Sequence, residues 1–85
     1  MSDKMTNVKW NKIVADMLAE WHRVDSGHEM RRYAVLWWDD RKGLLVHWYD
    51  VQMHAYNKKA LLPRGSFVTI VDWKAERERK AQEAA

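Results

Sequence analysis

Apolar residues recur at helical spacing in the first quarter of the chain. The stripe consists of Trp10, Ile13, Val14, Met17, Leu18 and Trp21. This spacing is typical of a helix that packs one face against a core. Thr6 or Asn7 offers an N-cap and Gly27 a left-handed C-cap, so the pattern predicts a helix over residues 6–24.

The next apolar segment, residues 31–39, is rich in aromatic and β-branched side chains and predicts a strand. It contains the adjacent Trp37 and Trp38, whose side chains point to opposite faces of a strand. The residues from Asp40 to Gly43 suit a type I turn with Gly43 in the left-handed bulge position. A second strand then begins at Leu44, which this turn pairs with Asp40.

The predicted register gives the hairpin two faces of different character, because a strand alternates its side chains. The first, called the even face, is nearly all apolar and is predicted to lie under the N-terminal helix: Ala34, Leu36, Trp38, Val46 and Trp48. The second, called the odd face, is rich in rings and amphipathic: Tyr33, Val35, Trp37, His47, Tyr49 and Val51. Trp38 is predicted to oppose Val46, Leu36 to oppose Trp48, and Trp37 to oppose His47.

Two patterns overlap after Tyr49. Alternation of Tyr49, Val51, Met53 and Ala55 extends the second strand to Tyr56. Alternatively, Met53, Tyr56, Ala60 and Leu61 fit a short helix over residues 50–61. The sequence leaves both interpretations open, with Pro63 and Gly65 marking the loop that follows.

Residues 66–73 predict a third strand that is apolar on both faces, and therefore central or covered on both sides. Residues 74–85 are strong helix formers without a large apolar side chain, so we expect an exposed charged helix that frays. The predicted fold is α+β: an N-terminal amphipathic helix packed on a three-stranded antiparallel meander, with a charged C-terminal helix. Residues 1–73 are predicted to form a single domain and residues 74–85 its tail.

Length and composition narrow the class of protein. The 85 residues contain no cysteine and carry a formal net charge of +3. The absence of cysteine favours a reducing, cytoplasmic location, and the apolar segments are too short for a membrane span. The N-terminus has no apolar signal-peptide region.

The sequence offers no constellation typical of catalysis. The four histidines are His22, His28, His47 and His54, and none forms the i,i+4 pair by which one helix presents two imidazoles to a metal. No serine lies in a nucleophile-elbow context, and the three glycines are isolated rather than grouped in a phosphate loop. We therefore predict a protein that is not an enzyme, with no metal and no cofactor.

Six tryptophans in so short a chain favour an interaction surface, because tryptophan and tyrosine are enriched at interfaces. One helix covers one face of a sheet, so we expect the odd face to be uncovered. The predicted anchors are Trp37, Tyr33, Tyr49 and His47, with Arg31, Arg41 and Lys42 complementing an acidic partner protein. The predicted function is that of an inhibitor or adaptor, and a second copy of the chain is another cover for the same face.

Single-stranded nucleic acid is the alternative partner. Rings on a sheet face stack on bases while neighbouring cations contact phosphates. Here Tyr33, Trp37 and Tyr49 would form the platform, and Lys58 would join the basic residues at its edge.

Overall fold

The computed structural model describes residues 4–24 and 31–84, so the predicted cap at Gly27 and the side chain of His28 lie outside the described residues. Its elements are α1 (Asn7–Arg23), β1 (Tyr33–Asp39), β2 (Gly43–Tyr49), α2 (Gln52–Leu61), β3 (Val68–Asp72) and α3 (Trp73–Ala84). Across these ranges, no helix has the length and apolar character needed to cross a membrane.

Helix α1 forms as the apolar stripe predicts. Thr6 caps its N-terminus, accepting a hydrogen bond from the Lys9 backbone N–H at 3.2 Å. Trp10 Nε1–H donates to Thr69 Oγ1 at 2.9 Å and so ties the helix to β3. The whole stripe faces the sheet, because all six of its residues belong to one cluster with the even face.

The three strands form an antiparallel sheet in the order β2-β1-β3. The α+β class, the antiparallel sheet and the N-terminal helix agree with the prediction. The strand order differs from a meander, in which β2 would be central. Strand β1 is central because the chain passes from β2 through α2 before it returns as β3 on the far side of β1.

The hairpin register is displaced by two residues from the predicted one. Asp39 pairs with Gly43, Trp37 with Leu45 and Leu36 with Val46. The cause is the Asp39 carboxylate, whose Oδ1 accepts the backbone N–H groups of Arg41 and Lys42, both at 2.8 Å. The pair that closes the turn is therefore Asp39 with Gly43, instead of the predicted Asp40 with Leu44. Each strand contributes one residue to the displacement.

A displacement of two residues preserves the faces, since side chains alternate with period two. Gly43 has the left-handed conformation predicted for it, with φ of +83°. Trp38 therefore packs inward on the even face, and Trp37 lies on the odd face as expected. The three predicted pairings, Trp38 with Val46, Leu36 with Trp48 and Trp37 with His47, were therefore wrong, although the predicted faces were right.

The main core lies between α1 and the even face. Its buried members are Trp10, Trp21, Ala34, Leu36, Val71 and Trp73. The rings of Trp21 and Trp48 are 4.7 Å apart, and those of Trp21 and Trp73 are 5.7 Å apart in an edge-to-face arrangement. Three of the six tryptophans thus form one aromatic cluster. A fourth, Trp10, packs at the other end of α1 near Phe67.

Helix α2 covers part of the odd face, which decides between the two interpretations of residues 50–61 and corrects the expectation of an uncovered face. The strand ends at Tyr49 and the helical interpretation of residues 50–61 is confirmed. The odd face is not left open, because Ala55 is fully buried in a second cluster with Tyr33 and Val35. The small side chain of Ala55 lets the helix approach the sheet closely.

Strand β3 is an edge strand, not a central one, but both of its faces are covered. Val68 and Ile70 join the odd-face cluster, and Val71 joins the main core. Its bounds are narrower than the predicted residues 66–73: the strand begins only at Val68, and it ends at Asp72 because Trp73 already begins α3.

Helix α3 starts inside the core and then becomes exposed. Trp73 is only 2% exposed, and Glu76 contacts His22 of α1 at 3.3 Å. The Asp72 Oδ1 accepts the Ala75 backbone N–H at 3.2 Å and caps the helix. The predicted charged tail is thus attached to the domain through its first turn.

Leu36 and Leu61 provide a matched test of the core. Leu36 is fully buried on β1, whereas Leu61 is 82% exposed at the end of α2. We expect Leu36→Ala to lower the free energy of unfolding by about 2–5 kcal/mol. Leu61→Ala should change it by less than about 0.5 kcal/mol. Urea denaturation measures both, and equal losses would contradict the described core.

Asp39 and Asp40 test the turn. We expect Asp39→Ala to lower the unfolding temperature and Asp40→Ala, its neighbour and control, to leave it nearly unchanged. Hydrogen bonds from the Lys42 and Arg41 backbone N–H groups lower the pKa of Asp39. Its contribution is therefore present at neutral pH and is lost as the pH falls through the folded-state pKa. The difference between Asp39→Ala and the wild type should shrink in acid; a constant difference would contradict the assignment.

Candidate partner-binding surface

Three rings lie side by side on the odd face and form a surface that we call the aromatic strip: Trp37, His47 and Tyr49. The Trp37 and His47 rings meet edge to face with centroids 5.5 Å apart, and those of His47 and Tyr49 are 6.1 Å apart. His47 Nδ1 lies 3.3 Å from the Tyr49 hydroxyl. His47 is exposed and the other two are half-buried, so the strip is accessible.

The local structure explains why these three rings meet. His47 and Tyr49 are two residues apart on β2 and therefore point to the same face. Trp37 pairs with Leu45 on the neighbouring strand, which places its ring diagonally beside His47. Three of the four predicted anchors are thus brought together by the hairpin.

Tyr33, the fourth predicted anchor, is not available on this surface. It is only 7% exposed, beneath α2 and the side chain of Arg32, whose guanidinium lies 5.0 Å from the ring centroid. Arg32 is held by Asp72 through hydrogen bonds of 3.3 and 3.4 Å. Burial disfavours ionisation of Asp72, but the hydrogen bonds from Arg32 and Ala75 outweigh it and lower its pKa.

Lys58 of α2 contributes a cation to the strip. Its Nζ lies 4.7 Å from the centroid of the Trp37 ring, within the range of a cation–π interaction. The ammonium group therefore occupies one face of the indole. The sequence predicted Lys58 at the edge of a nucleic-acid platform. Its position over the Trp37 ring arises because residues 52–61 form α2 rather than an extension of β2.

The predicted basic residues lie at the two ends of the strip and are not brought together. Arg31 precedes β1 and lies 3.9 Å from Asp50, with both side chains largely exposed. Arg41 and Lys42 are exposed in the turn at the other end of the hairpin. Seven strand residues separate the two ends by roughly 20 Å.

A groove of about 270 Å³ continues the strip between β2 and α2. Its lining consists of Tyr49, His54, Asn57, Lys58 and Leu61. The four α2 residues follow the i, i+3, i+4, i+7 spacing of one helix face. All four lie within residues 50–61, the range of the helical interpretation. Sequence reasoning missed them as a group because it left strand and helix open at this point.

A larger cavity of about 580 Å³ lies at the end of β1, where Trp37 and Trp38 both reach it. Its lining is mixed in charge, with Lys4 and Arg64 as well as Asp39 and Asp40. The Asp39 carboxylate already accepts two hydrogen bonds within the hairpin turn. We therefore regard the strip as the stronger candidate for a binding surface.

Nothing in the described parts of the chain is arranged for metal binding, since no three His, Asp or Glu side chains there are grouped to hold an ion. The chain matches no protein-family model, no curated protein and no solved structure.

Lys58 and Lys59 provide a matched test of the cation on Trp37. We expect Lys58→Ala to lower the free energy of unfolding by about 0.5–1 kcal/mol, the usual size of an accessible cation–π pair. Lys58→Arg should retain most of that stability, and Lys59→Ala should have little effect. Chemical denaturation measures all three, and equal effects of the two alanine substitutions would contradict the contact.

Proposed function

We propose that this protein is a non-enzymatic binding module, of the inhibitor or adaptor type, that engages a partner protein with an acidic surface. The observation that supports this proposal most directly is the aromatic strip, in which the His47 ring contacts both Trp37 and Tyr49 and remains accessible beside a groove. Aromatic side chains of this kind dominate binding energies at protein interfaces.

The rings are already held in place before any partner binds. His47 is fixed between Trp37 and Tyr49, and Lys58 rests on the indole. A preorganised surface loses less side-chain entropy on association, which favours affinity. The contacts within the strip therefore support its proposed role as a set of interface anchors.

The charges around the strip favour an acidic partner. Helix α2 carries Lys58 and Lys59 and contains no acidic residue, and the hairpin turn presents Arg41 and Lys42 at the other end. Such flanking charges increase association rates and select partners, whereas buried rings provide most of the affinity. A cytoplasmic location, inferred from the lack of cysteine, belongs to the same proposal.

The burial of Tyr33 ranks a protein partner above single-stranded nucleic acid. A stacking platform needs accessible ring faces. Tyr33 is buried, and Lys58 occupies one face of Trp37. Of the three rings of the predicted platform, Tyr49 is neither buried nor covered by a lysine. Binding of single-stranded nucleic acid is therefore treated as an outcome of the test below.

Affinity capture with surface variants tests the proposal. The immobilised chain is incubated with nuclease-treated lysate, and retained proteins are quantified by mass spectrometry. We expect a protein that the wild type retains and that Tyr49→Ala and His47→Ala lose. Truncation of one anchor should weaken the measured affinity for that protein by about 30-fold, corresponding to about 2 kcal/mol.

Tyr56→Ala is the matched control for Tyr49→Ala. Tyr56 is 51% exposed on α2 and takes no part in the strip or the groove, so this variant should retain the partner. If Tyr49→Ala and His47→Ala retained the same proteins as the wild type, the proposal would be contradicted. Binding of a poly-thymidine oligonucleotide with a steep loss of affinity in salt would identify nucleic acid instead.

A further inference from the structure

Among the residues that the structure describes, β2 is an edge strand, and its own sequence lacks the usual protection against pairing. Its seven residues include no Lys, Arg, Asp, Glu or Pro, which are the residues that natural edge strands use to prevent association. Leu44, Val46 and Trp48 are half-buried rather than buried. A long apolar edge of this kind is a template for another strand.

Hydrogen bonds on the other side of the sheet show which β2 residues face outward. The Trp38 backbone N–H donates to the Phe67 carbonyl at 3.1 Å, and the Arg32 carbonyl accepts the Trp73 N–H at 2.7 Å. Even-numbered residues of the central strand thus direct their backbone groups toward β3. Because these directions alternate, odd-numbered residues such as Val35 direct theirs toward β2.

The same alternation applies to β2. Val35 pairs with His47, so the odd-numbered residues of β2 are bonded to the central strand. The backbone N–H and C=O groups of Leu44, Val46 and Trp48 therefore point away from the sheet, toward the side of β2 on which no strand of the described ranges 4–24 and 31–84 is paired.

We propose that a second copy of this chain occupies this edge, with β2 paired antiparallel to β2 about a two-fold axis at Val46. In this register all seven residues of each strand overlap. Val46 opposes Val46 of the second copy, and Leu44 opposes its Trp48. The outward backbone groups of the two strands then meet in direct hydrogen-bonded pairs.

Charge complementarity supports this occupant and this register. The alignment that centres on Val46 also brings Lys42, which directly precedes β2, toward Asp50 of the second copy, which directly follows it, once at each end. Lys42 is exposed, and the Asp50 side chain is 70% exposed with a long contact of 3.9 Å to Arg31. Both residues are therefore accessible to a second chain.

Helix α2 is a poorer surface for a second copy. It exposes Met53 and Tyr56, but its charged residues are Lys58 and Lys59. Two copies meeting there would bring like charges together, which is unfavourable. The β2 edge has no charge along the strand and opposite charges at its ends.

Pairing would also join the two odd faces. Cross-strand partners point to the same side of a sheet, so Tyr49 would cover Gly43 of the second copy, and His47 would lie beside its Leu45. The inference does not depend on the proposed function, since it stands whether or not the aromatic strip binds another protein.

Sedimentation equilibrium of the full chain tests the pairing. We expect the mass to rise with concentration from 10.2 kDa toward about twice that value. Val46→Pro removes the central outward donor and should give a monomer, since proline is tolerated at an edge. A wild-type monomer at concentrations up to about 1 mM would overturn the proposal, as would a dimer that folded Val46→Pro still forms.

A charge exchange tests the register without touching the core. Lys42→Glu and Asp50→Lys should each weaken dimerisation by about tenfold, because each replaces two attractive pairs with repulsive ones. The double variant restores the attraction and should recover the wild-type affinity. Lys74→Glu, with the same charge change on exposed α3, is the control and should leave it unchanged; failure of the double variant to recover would overturn the register.

Discussion

The Asp39 carboxylate, bonded to two backbone N–H groups of the hairpin turn, sets the register on which the rest of this structure depends. Together with the left-handed Gly43 it closes the turn so that Trp38 faces α1 and Trp37 faces α2. A slip of one residue would exchange these two rings and every other side chain on the hairpin. The turn therefore decides which residues become core and which remain at the surface.

The sheet is covered unevenly, and this unevenness leaves part of the odd face accessible. The even face meets the long stripe of α1 and buries most of the tryptophans. The odd face meets the ten-residue helix α2, which covers the Tyr33 end and leaves His47 exposed. A chain of 85 residues buries a smaller share of its surface than a large domain does. Accessible rings at the rim of the second cluster follow from that limit.

Much of the fold could be predicted because local patterns agree with tertiary packing. The stripe of α1, the two faces of the hairpin and the left-handed Gly43 all follow from spacing and turn chemistry. The pairing itself could not, because Asp39 and Asp40 are equally suitable in sequence and only the folded turn shows that Asp39 accepts the hydrogen bonds. The choice between strand and helix after Tyr49 was likewise settled by packing, through the burial of Ala55.

The candidate site could be predicted only in part, because some of its features follow from local spacing and others from tertiary contacts. The face of Trp37, His47 and Tyr49 depends on alternation alone, which the sequence supplies. The burial of Tyr33 and the position of Lys58 depend on α2 and on Arg32, whose placement is tertiary. Long-range contacts of this kind have no signature in the spacing of residues along one chain.

Nuclear Overhauser effects between α-protons measure the hairpin register directly. Leu36 and Val46 form a pair that is not hydrogen-bonded, so their α-carbons are expected about 4.5 Å apart and their α-protons closer still. We expect a strong effect between the α-protons of Leu36 and Val46, and another between those of Ala34 and Trp48. A strong effect between Leu36 and Trp48 instead would show a turn anchored at Asp40 and would contradict the account.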